Sequence, residues 1–291
     1  MNKSGWIVID KPLNMTCTQV GGVLRRLLSV KKIGHLGTLD PLATGVLVFA
    51  IGEATKAIPY YKNKHKVYDF ETTWGEQRST DDAEGNIIET SFIRPSLEEI
   101  ERVYKNFIGE LQQIPPIYSA IKVNGKRSYK AAREGQDISL KARQITVYNL
   151  EIIKAQKESC QFRAACGSGT YIRSLGRDMA LELNTVGYIS SLRRIKDGKF
   201  SISDAISLEK LEKIDHKERY QYIKPIRAVL DDIPAVPVSA FDVEKIRCGM
   251  AIKSEIDFGD SFVAVCFEEK LLAIAAFKEG LLYPRRVFSL D

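Results

Sequence analysis

The sequence predicts an α+β fold followed by a small β-rich module. Some segments carry apolar residues at helical spacing, whereas others are short apolar runs of strand length that end at Gly or Pro. After Ile226 the composition changes, because residues 231–237 hold two Asp and two Pro and two strand-like runs follow them. We therefore expect a larger domain at residues 1–232 and a smaller one at residues 233–291.

The first elements follow from local patterns. Gly5 to Ile9 predicts a buried strand that ends before Pro12, which has no backbone N–H for a ladder. A helix begins near Thr18. Residues 34–45 contain three Gly and one Pro, which indicates a tight loop, and the apolar run from Val46 to Ile51 predicts the next strand.

The remaining elements are predicted in the same way. Ser96 and Glu99 have the spacing of a capping box ahead of a helix. Strand-like composition is found at three other segments, namely Val67–Trp74, Val147–Ile153 and Gln161–Cys166. A third helix is predicted at Tyr171–Leu183, and two strand-like runs, Phe262–Phe267 and Leu271–Phe277, form the tail.

Composition excludes several classes of protein. Hydrophobic residues make up 44% of the 291 and charged residues 27%, which is typical of a globular protein. No segment is long and apolar enough to suggest a signal peptide or a membrane span. Five Cys without a Cys-x-x-Cys pair and only three His disfavour a zinc site, and reduced Cys indicate the cytoplasm.

Patterns that would bind a cofactor are weak or absent. Gly167-Ser168-Gly169 begins like a dinucleotide fingerprint, but Ile172 stands where the third Gly belongs. The acidic run from Asp81 to Asn86 resembles a calcium loop, but its ligands are out of phase. We interpret it as a solvated turn.

Asp40 is the residue in which the pattern suggests chemistry. It lies in the Gly-rich loop, beside Pro41 and five residues after His35. A carboxylate on a rigid loop can act as a nucleophile or a base if a cation orients it and keeps it ionised. From spacing alone a plain turn Asp and a strand-capping His remain open alternatives.

Residues 34–47, GHLGTLDPLATGVL, resemble the signature loop of the TruB-type tRNA pseudouridine synthases. Other parts of the chain resemble further segments of this family, in the family's order, and the tail resembles the PUA-like domain of its bacterial branch: Ile9–Pro12, Pro115–Lys126, Gly169–Leu175, Leu192–Arg194, Leu271–Ala275 and Tyr283–Phe288. The resemblance implies a mixed, mostly antiparallel catalytic sheet flanked by helices and loops, with a small C-terminal β-rich PUA-like domain.

The resemblance also implies a role for individual residues. Asp40 is implied as the catalytic aspartate, Arg173 as the arginine that pairs with it, and Tyr68 as the active-site tyrosine that stacks on the target base. The remaining positions are substrate contacts at His35, Tyr171 and Leu192 and a supporting pair at Lys11 and Pro12 beneath the loop. Arg173 at a helix start opposes the dipole, which favours a paired role.

Two positions depart from the family. Asn14 stands where Gly is common, and Asn tolerates a left-handed backbone, so we expect the turn to survive. Cys17 stands where Ser is common. Because a thiol is a weaker donor than a hydroxyl, the sequence does not establish whether one hydrogen bond near Lys11 and Pro12 forms.

The implied reaction is the isomerisation of uridine to pseudouridine at position 55 in the T arm of tRNA. A stacked base must be flipped out before it can react, with Tyr68 as the platform and His35 filling the vacated stack. Neither a cofactor nor a metal is expected, nor an obligate protein partner. An RNA-clasping loop is expected near residues 115–135, with contacts from Lys122, Lys126, Arg127, Lys130 and Arg133.

Two alternatives remain open. The first is a tRNA-binding folding chaperone that acts without catalysis, and the second is a guide-RNA-dependent relative. The net charge of +6 fits an RNA partner. We expect the positive excess near the Asp40 pocket, in the 122–133 segment and in the C-terminal module.

Overall fold

The computed structural model describes residues 4–61, 65–119, 121–123, 125–134 and 139–289. Six α-helices lie within these ranges: α1 (Cys17–Leu27), α2 (Leu97–Val103), α3 (Ser128–Arg133), α4 (Ile172–Glu182), α5 (Leu208–Lys213) and α6 (Ala240–Arg247). None of the helices in the described ranges has the length and apolar character needed to cross a membrane.

The strands form one large sheet, one smaller sheet and two short ribbons. In chain order they are β1 (Gly5–Lys11), β2 (Ile33–Leu36), β3 (Thr44–Ile51), β4 (Lys66–Trp74), β5 (Glu76–Arg78), β6 (Ile87–Thr90), β7 (Gly109–Gln113), β8 (Lys122–Val123), β9 (Lys126–Arg127), β10 (Arg143–Ala155), β11 (Ser159–Cys166), β12 (Gly187–Asp197), β13 (Phe200–Ser201), β14 (Ile206–Ser207), β15 (Ala235–Pro237), β16 (Ile252–Lys253), β17 (Phe262–Phe267), β18 (Lys270–Lys278) and β19 (Leu281–Val287). The large sheet runs β14-β1-β3-β12-β4-β11-β10-β7, with β2 and β13 paired at its sides. The smaller sheet runs β15-β17-β18-β19-β16.

Most neighbours in the large sheet are antiparallel, as the resemblance implied. The exceptions are β12 beside β3 and β14 beside β1, which are parallel pairs. The β12–β3 pairing sets Arg193 opposite Thr44, at the point where the Gly-rich loop enters β3. The start of β3 and the middle of β12 therefore converge beside Asp40.

Caps mark the starts of two of the three predicted helices. The Thr16 hydroxyl accepts from the Gln19 N–H, and the Gln19 side chain accepts from the Thr16 N–H, so α1 begins at Cys17. Ser96 and Glu99 form the same reciprocal pair ahead of α2. Each cap satisfies N–H groups that a helix end leaves without partners.

The first strand is buried on both faces. Ile7 and Ile9 lie in one core cluster, while Trp6 and Val8 point to the other side. Burial on both faces explains why the strand is an uninterrupted apolar run rather than an alternating one.

The outer face of β1 and β3 packs against the smaller sheet. Trp6 and Val48 share a core cluster with Ala264, Ile274 and Phe288. The two sheets are therefore joined by a common apolar core, which removes both faces from water.

The charge of the C-terminal module differs from our expectation. Residues 233–291 contain seven Lys and Arg against nine Asp and Glu, so the module is net acidic. The expected positive excess in this module is wrong, and the excess belongs to residues 1–232.

Candidate active site

The loop between β2 and β3 has a backbone that only glycine adopts easily. Gly37 has φ +57°, and a Cβ there would lie 3.1 Å from Arg194 Nη1 and 3.3 Å from Asp197 Oδ2. Gly45 has φ +97°, and a Cβ there would lie 2.2 Å from the Arg194 carbonyl oxygen. The two glycines let the loop close onto β12 and fix where Asp40 stands.

Asp40 and Arg173 form a two-pronged ion pair. Arg173 Nε donates to Asp40 Oδ2 at 2.9 Å and Nη2 to Asp40 Oδ1 at 3.2 Å. Arg173 also donates to the carbonyls of Thr80 (2.8 Å) and Tyr118 (3.0 Å). The Arg173 side chain is 5% exposed and that of Asp40 36%, so a buried cation orients an accessible carboxylate.

The start of α4 delivers Arg173 to this position. Tyr171 is the residue before α4 and has no side-chain cap. Instead, the Gln113 amide oxygen accepts from the Tyr171 N–H at 2.8 Å, and its nitrogen donates to the Tyr171 carbonyl at 3.1 Å. Sequence reasoning did not identify Gln113, because a lone Gln on a strand gives no signal of this contact.

Lys11 lies beneath the loop, as predicted from the resemblance. It is fully buried, and its Nζ donates to the carbonyls of Pro12 (2.8 Å) and Pro41 (3.1 Å). Burial lowers the pKa of Lys11, and the negative charge of Asp40 opposes this effect. Pro12 is half-buried and ends β1 as expected.

Asn14 keeps the turn that we expected it to keep. Its φ is 61°, in the left-handed region, and its N–H donates to the Pro41 carbonyl at 3.0 Å. Lys11 and Asn14 thus share one acceptor, which is the residue directly after Asp40.

Tyr68 lies in the core at 7% exposure. On β4 it stands opposite Ala164 of β11 and Arg194 of β12. Burial raises the pKa of Tyr68 to about 12, while the charge of Arg194 opposes the rise. The phenol is therefore protonated at neutral pH.

The structure places two of the three expected substrate contacts near Tyr68 or Arg173. Leu192 is buried in the same core cluster as Tyr68, and its carbonyl accepts from Thr44 Oγ1 at 3.5 Å. Tyr171 lies two residues before Arg173 and is half-buried.

His35 lies in β2, opposite Phe49 of β3 and two residues before the loop that carries Asp40. Its Nε2 is 3.3 Å from Thr38 Oγ1, and its ring centroid is 5.9 Å from that of Phe49. Burial lowers the pKa of His35, and the charge of Arg194 lowers it further. His35 is therefore neutral at pH 7 and half-exposed beside Asp40's loop.

The solvated turn expected at Asp81 and Asp82 is wrong. Asp82 is 1% exposed, and its Oδ2 lies 3.6 Å from Arg173 Nε. Asp81 is also buried and pairs with Arg177 at 2.9 Å. Burial raises the pKa of both carboxyls, and Asp82 shares its arginine with Asp40.

Arg194 is another site residue that sequence reasoning did not single out. It is fully buried and donates to the carbonyls of Val46 (2.7 Å) and Gly37 (2.9 Å). Its Nη1 lies 3.5 Å from Asp197 Oδ2. The pair sits directly under the Gly-rich loop and supports its backbone.

The expected RNA contacts fall largely outside the part that the structure describes. In the described part of this segment, residues 122–123 and 126–127 form the β8–β9 ribbon and residues 128–133 form α3. The side chains of the five cationic residues lie outside the described residues: Lys122, Lys126, Arg127, Lys130 and Arg133. Their role stays a prediction.

With this geometry in view, the chain can be compared with known proteins. Residues 25–172 match the sequence model of the TruB family pseudouridylate synthase N-terminal domain. The chain belongs to this family, and its class is therefore that of an RNA-modifying isomerase.

Individual relatives agree along the whole length. The chain is 41% identical to the tRNA pseudouridine synthase B of Caulobacter sp. (strain K31), over 99% of this chain and 96% of the relative. It is 41% identical to the protein of the same name from Rhodospirillum rubrum, over 98% and 96%. The predicted family and the predicted enzyme class are confirmed.

The fold is also shared with solved structures. A chain in the crystal structure of a Cbf5–Nop10–Gar1 complex superposes with a TM-score of 0.72, over 99% of this chain and 85% of that chain, at 24% identity. A chain of an H/ACA ribonucleoprotein bound to a substrate RNA superposes with a TM-score of 0.71 at 22% identity. The predicted fold class is confirmed.

Proposed function

We propose that this chain converts uridine to pseudouridine at position 55 in the T arm of tRNA. The two-pronged pair of Asp40 and Arg173 carries the proposal, because it holds an accessible carboxylate beside a buried cation. The names of the relatives, tRNA pseudouridine synthase B, support tRNA as the substrate.

Asp40 is the proposed nucleophile. The reaction breaks the bond between N1 and C1′, turns the uracil and joins C5 to C1′, while the C5 hydrogen leaves as a proton. Attack by Asp40 at C6 of the base or at C1′ of the sugar is compatible with the site. In either case Arg173 keeps the carboxylate ionised and aimed.

Four residues are proposed to receive the flipped uridine. Tyr68 forms the platform for the base, and Leu192 and Tyr171 complete the pocket wall. His35 fills the stack that the base leaves. A neutral imidazole suits this last role, because an uncharged ring stacks in place of a base without an added desolvation cost.

RNA affinity is proposed to come mainly from residues 1–232. Contacts from the 115–135 segment fit a folded tRNA loop, which proteins recognise by stacking, shape and phosphate contacts. We propose a domain boundary near Asp232, with residues 233–291 as a PUA-like RNA-binding module. Because that module is net acidic, its RNA contacts would depend on a few cations such as Arg285 and Arg286.

We also propose that the enzyme acts alone and in the cytoplasm. The test is to incubate the purified chain, without guide RNA, with an unmodified tRNA transcript tritiated at C5 of uridine. Tritium release with mapping to position 55 is the expected result, and a transcript with cytidine at that position is the control. Binding without release would indicate a chaperone, and release only on adding guide RNA would indicate a guide-dependent enzyme.

A further inference from the structure

Asp40 stands between two residues whose backbones are fixed from the same side. The carbonyl of Pro41, directly after Asp40, accepts from Lys11 Nζ and the Asn14 N–H. The residue directly before it, Leu39, is held by Cys17.

Cys17 binds both backbone groups of Leu39. The Leu39 N–H donates to Sγ at 3.2 Å, and the thiol donates to the Leu39 carbonyl at 3.3 Å. Leu39 is buried and outside any strand or helix, so its N–H and carbonyl need partners other than a ladder. One side chain supplies both.

The thiol is suited to act as donor and acceptor together. Cys17 is 3% exposed, and burial raises its pKa above the usual value, against the hydrogen bond from Leu39 and the charges of Arg194 and Lys11. The sulfur therefore keeps its proton at neutral pH. The hydrogen bond that the sequence analysis left open at Cys17 is therefore formed, from the thiol to the Leu39 carbonyl.

Cys17 is itself held in place. It is the first residue of α1, whose capping box fixes the helix start. Val20 and Leu24 anchor the same helix in the main core cluster. The sulfur thus transmits the position of a packed helix to the catalytic loop.

We infer that Cys17 is a positioning residue for Asp40: its two bonds to Leu39 fix the backbone from which the carboxylate reaches Arg173 and the substrate. The inference rests on the proposed role of Asp40. A displacement of a catalytic group by about 1 Å lowers rates by about 100-fold. Losing the Leu39 anchor should therefore slow the chemical step without changing RNA affinity.

The test compares three variants under single-turnover conditions with saturating enzyme. Cys17→Ser keeps a donor and acceptor, and we expect a rate within about 3-fold of wild type. Cys17→Val fills the space of the thiol, whereas Cys17→Ala leaves that space partly empty. Both variants remove the two hydrogen bonds to Leu39. For each we expect the rate to fall by about 10- to 100-fold, with the dissociation constant for tRNA unchanged within about 2-fold.

A matched control separates positioning from loss of packing. Cys160 is also buried in the main core cluster but lies on β11, away from the loop. Cys160→Val should keep the wild-type rate. Thermal unfolding of every variant shows which variants are folded. If Cys17→Val is not folded, the rate of Cys17→Ala tests the positioning role of Cys17.

Three results would overturn the inference while leaving the proposed function intact. The first is wild-type turnover in Cys17→Ala or Cys17→Val, the second an equal loss in Cys17→Ser and Cys17→Val, and the third an equal loss in Cys160→Val. Absence of activity in the wild-type enzyme would instead contradict the proposed function itself.

Discussion

The guanidinium of Arg173 binds both carboxylate oxygens of Asp40, although only Asp40 is open to solvent. Arg173 has two further acceptors, the carbonyls of Thr80 and Tyr118. Its plane is therefore fixed before any substrate arrives. A substrate meets a carboxylate whose direction is already set, which reduces the cost of orienting it during reaction.

Replacing Asp40 tests the proposed nucleophile. We expect Asp40→Ala and Asp40→Asn to abolish pseudouridine formation while tRNA binding stays within a few fold, because neither side chain can form the covalent bond. Tritium release and filter binding measure the two quantities. Asp69→Asn is a matched control. Asp69 also pairs with an arginine through both carboxylate oxygens, but it lies on the face of β4 opposite to Tyr68. Activity in Asp40→Ala would refute the assignment.

Arg173→Lys should lose activity more than affinity. An ammonium cannot serve both oxygens of Asp40 and two carbonyls at once, so the carboxylate loses its orientation. The single-turnover rate and the dissociation constant for tRNA separate the effects. Arg163→Lys, in the surface pair with Asp69, should leave both unchanged. Equal losses of rate and affinity in Arg173→Lys would count against an orienting role.

Tyr68→Phe separates stacking from the hydroxyl. The phenyl ring keeps a stacking face, so we expect binding within a few fold. If the protonated hydroxyl takes part in proton transfer during the rearrangement, the rate should fall by about 100-fold or more. Because the pKa of Tyr68 is about 12, its ionisation should produce no inflection in the rate profile near neutral pH. A Phe variant as fast as wild type would leave Tyr68 with stacking alone.

Arg194→Met should destabilise the fold strongly. The substitution leaves the buried Asp197 carboxylate without its arginine and frees two carbonyls, so we expect the free energy of unfolding to fall by about 3–5 kcal/mol. Urea denaturation followed by circular dichroism measures it. The double variant Arg194→Met/Asp197→Leu should recover part of the loss, since the buried carboxylate is removed together with its arginine. The recovery should stay partial, because Lys66 Nζ, 3.6 Å from Asp197 Oδ1, loses its partner. No recovery would show that the carbonyl contacts dominate.

His35 should make stability depend on pH. Because its folded pKa lies below the unfolded value of about 6.5, the unfolded chain binds more protons at mildly acidic pH. Stability contributed at neutral pH is therefore lost as pH falls through that range. His35→Gln should flatten the profile of unfolding free energy between about pH 5 and 7. An unchanged slope in His35→Gln would contradict this.

Local patterns sufficed for elements whose ends carry their own signals. The capping box at Ser96 marked a helix start by hydrogen bonds between residues three apart. The helix expected near Thr18 begins one residue earlier, at Cys17. Pro12 ended β1 because it lacks a donor. The tail strand at Phe262–Phe267 was predicted with its observed bounds because its apolar run is continuous.

Elements stabilised by distant partners escaped prediction. The central strand β12 is rich in Ser, Arg and Lys, so it lacks the apolar run that marks a buried strand. Its Arg194 is buried because Asp197 and the carbonyls of Gly37 and Val46 compensate its charge. The sequence around Asp82 predicts a solvated carboxylate. In the structure Asp82 is buried because Arg173, about 90 residues away in the chain, pairs with it. Such pairings depend on the fold, which local composition does not encode.

The joint core of the two sheets has a consequence for synthesis on the ribosome. Trp6 and Val48 emerge early, but Ala264, Ile274 and Phe288, which cover them, are translated much later. Until then the outer face of β1 and β3 is open to water and to other nascent chains. The interval before the smaller sheet emerges is therefore the stage of biogenesis at which this enzyme is most prone to aggregate.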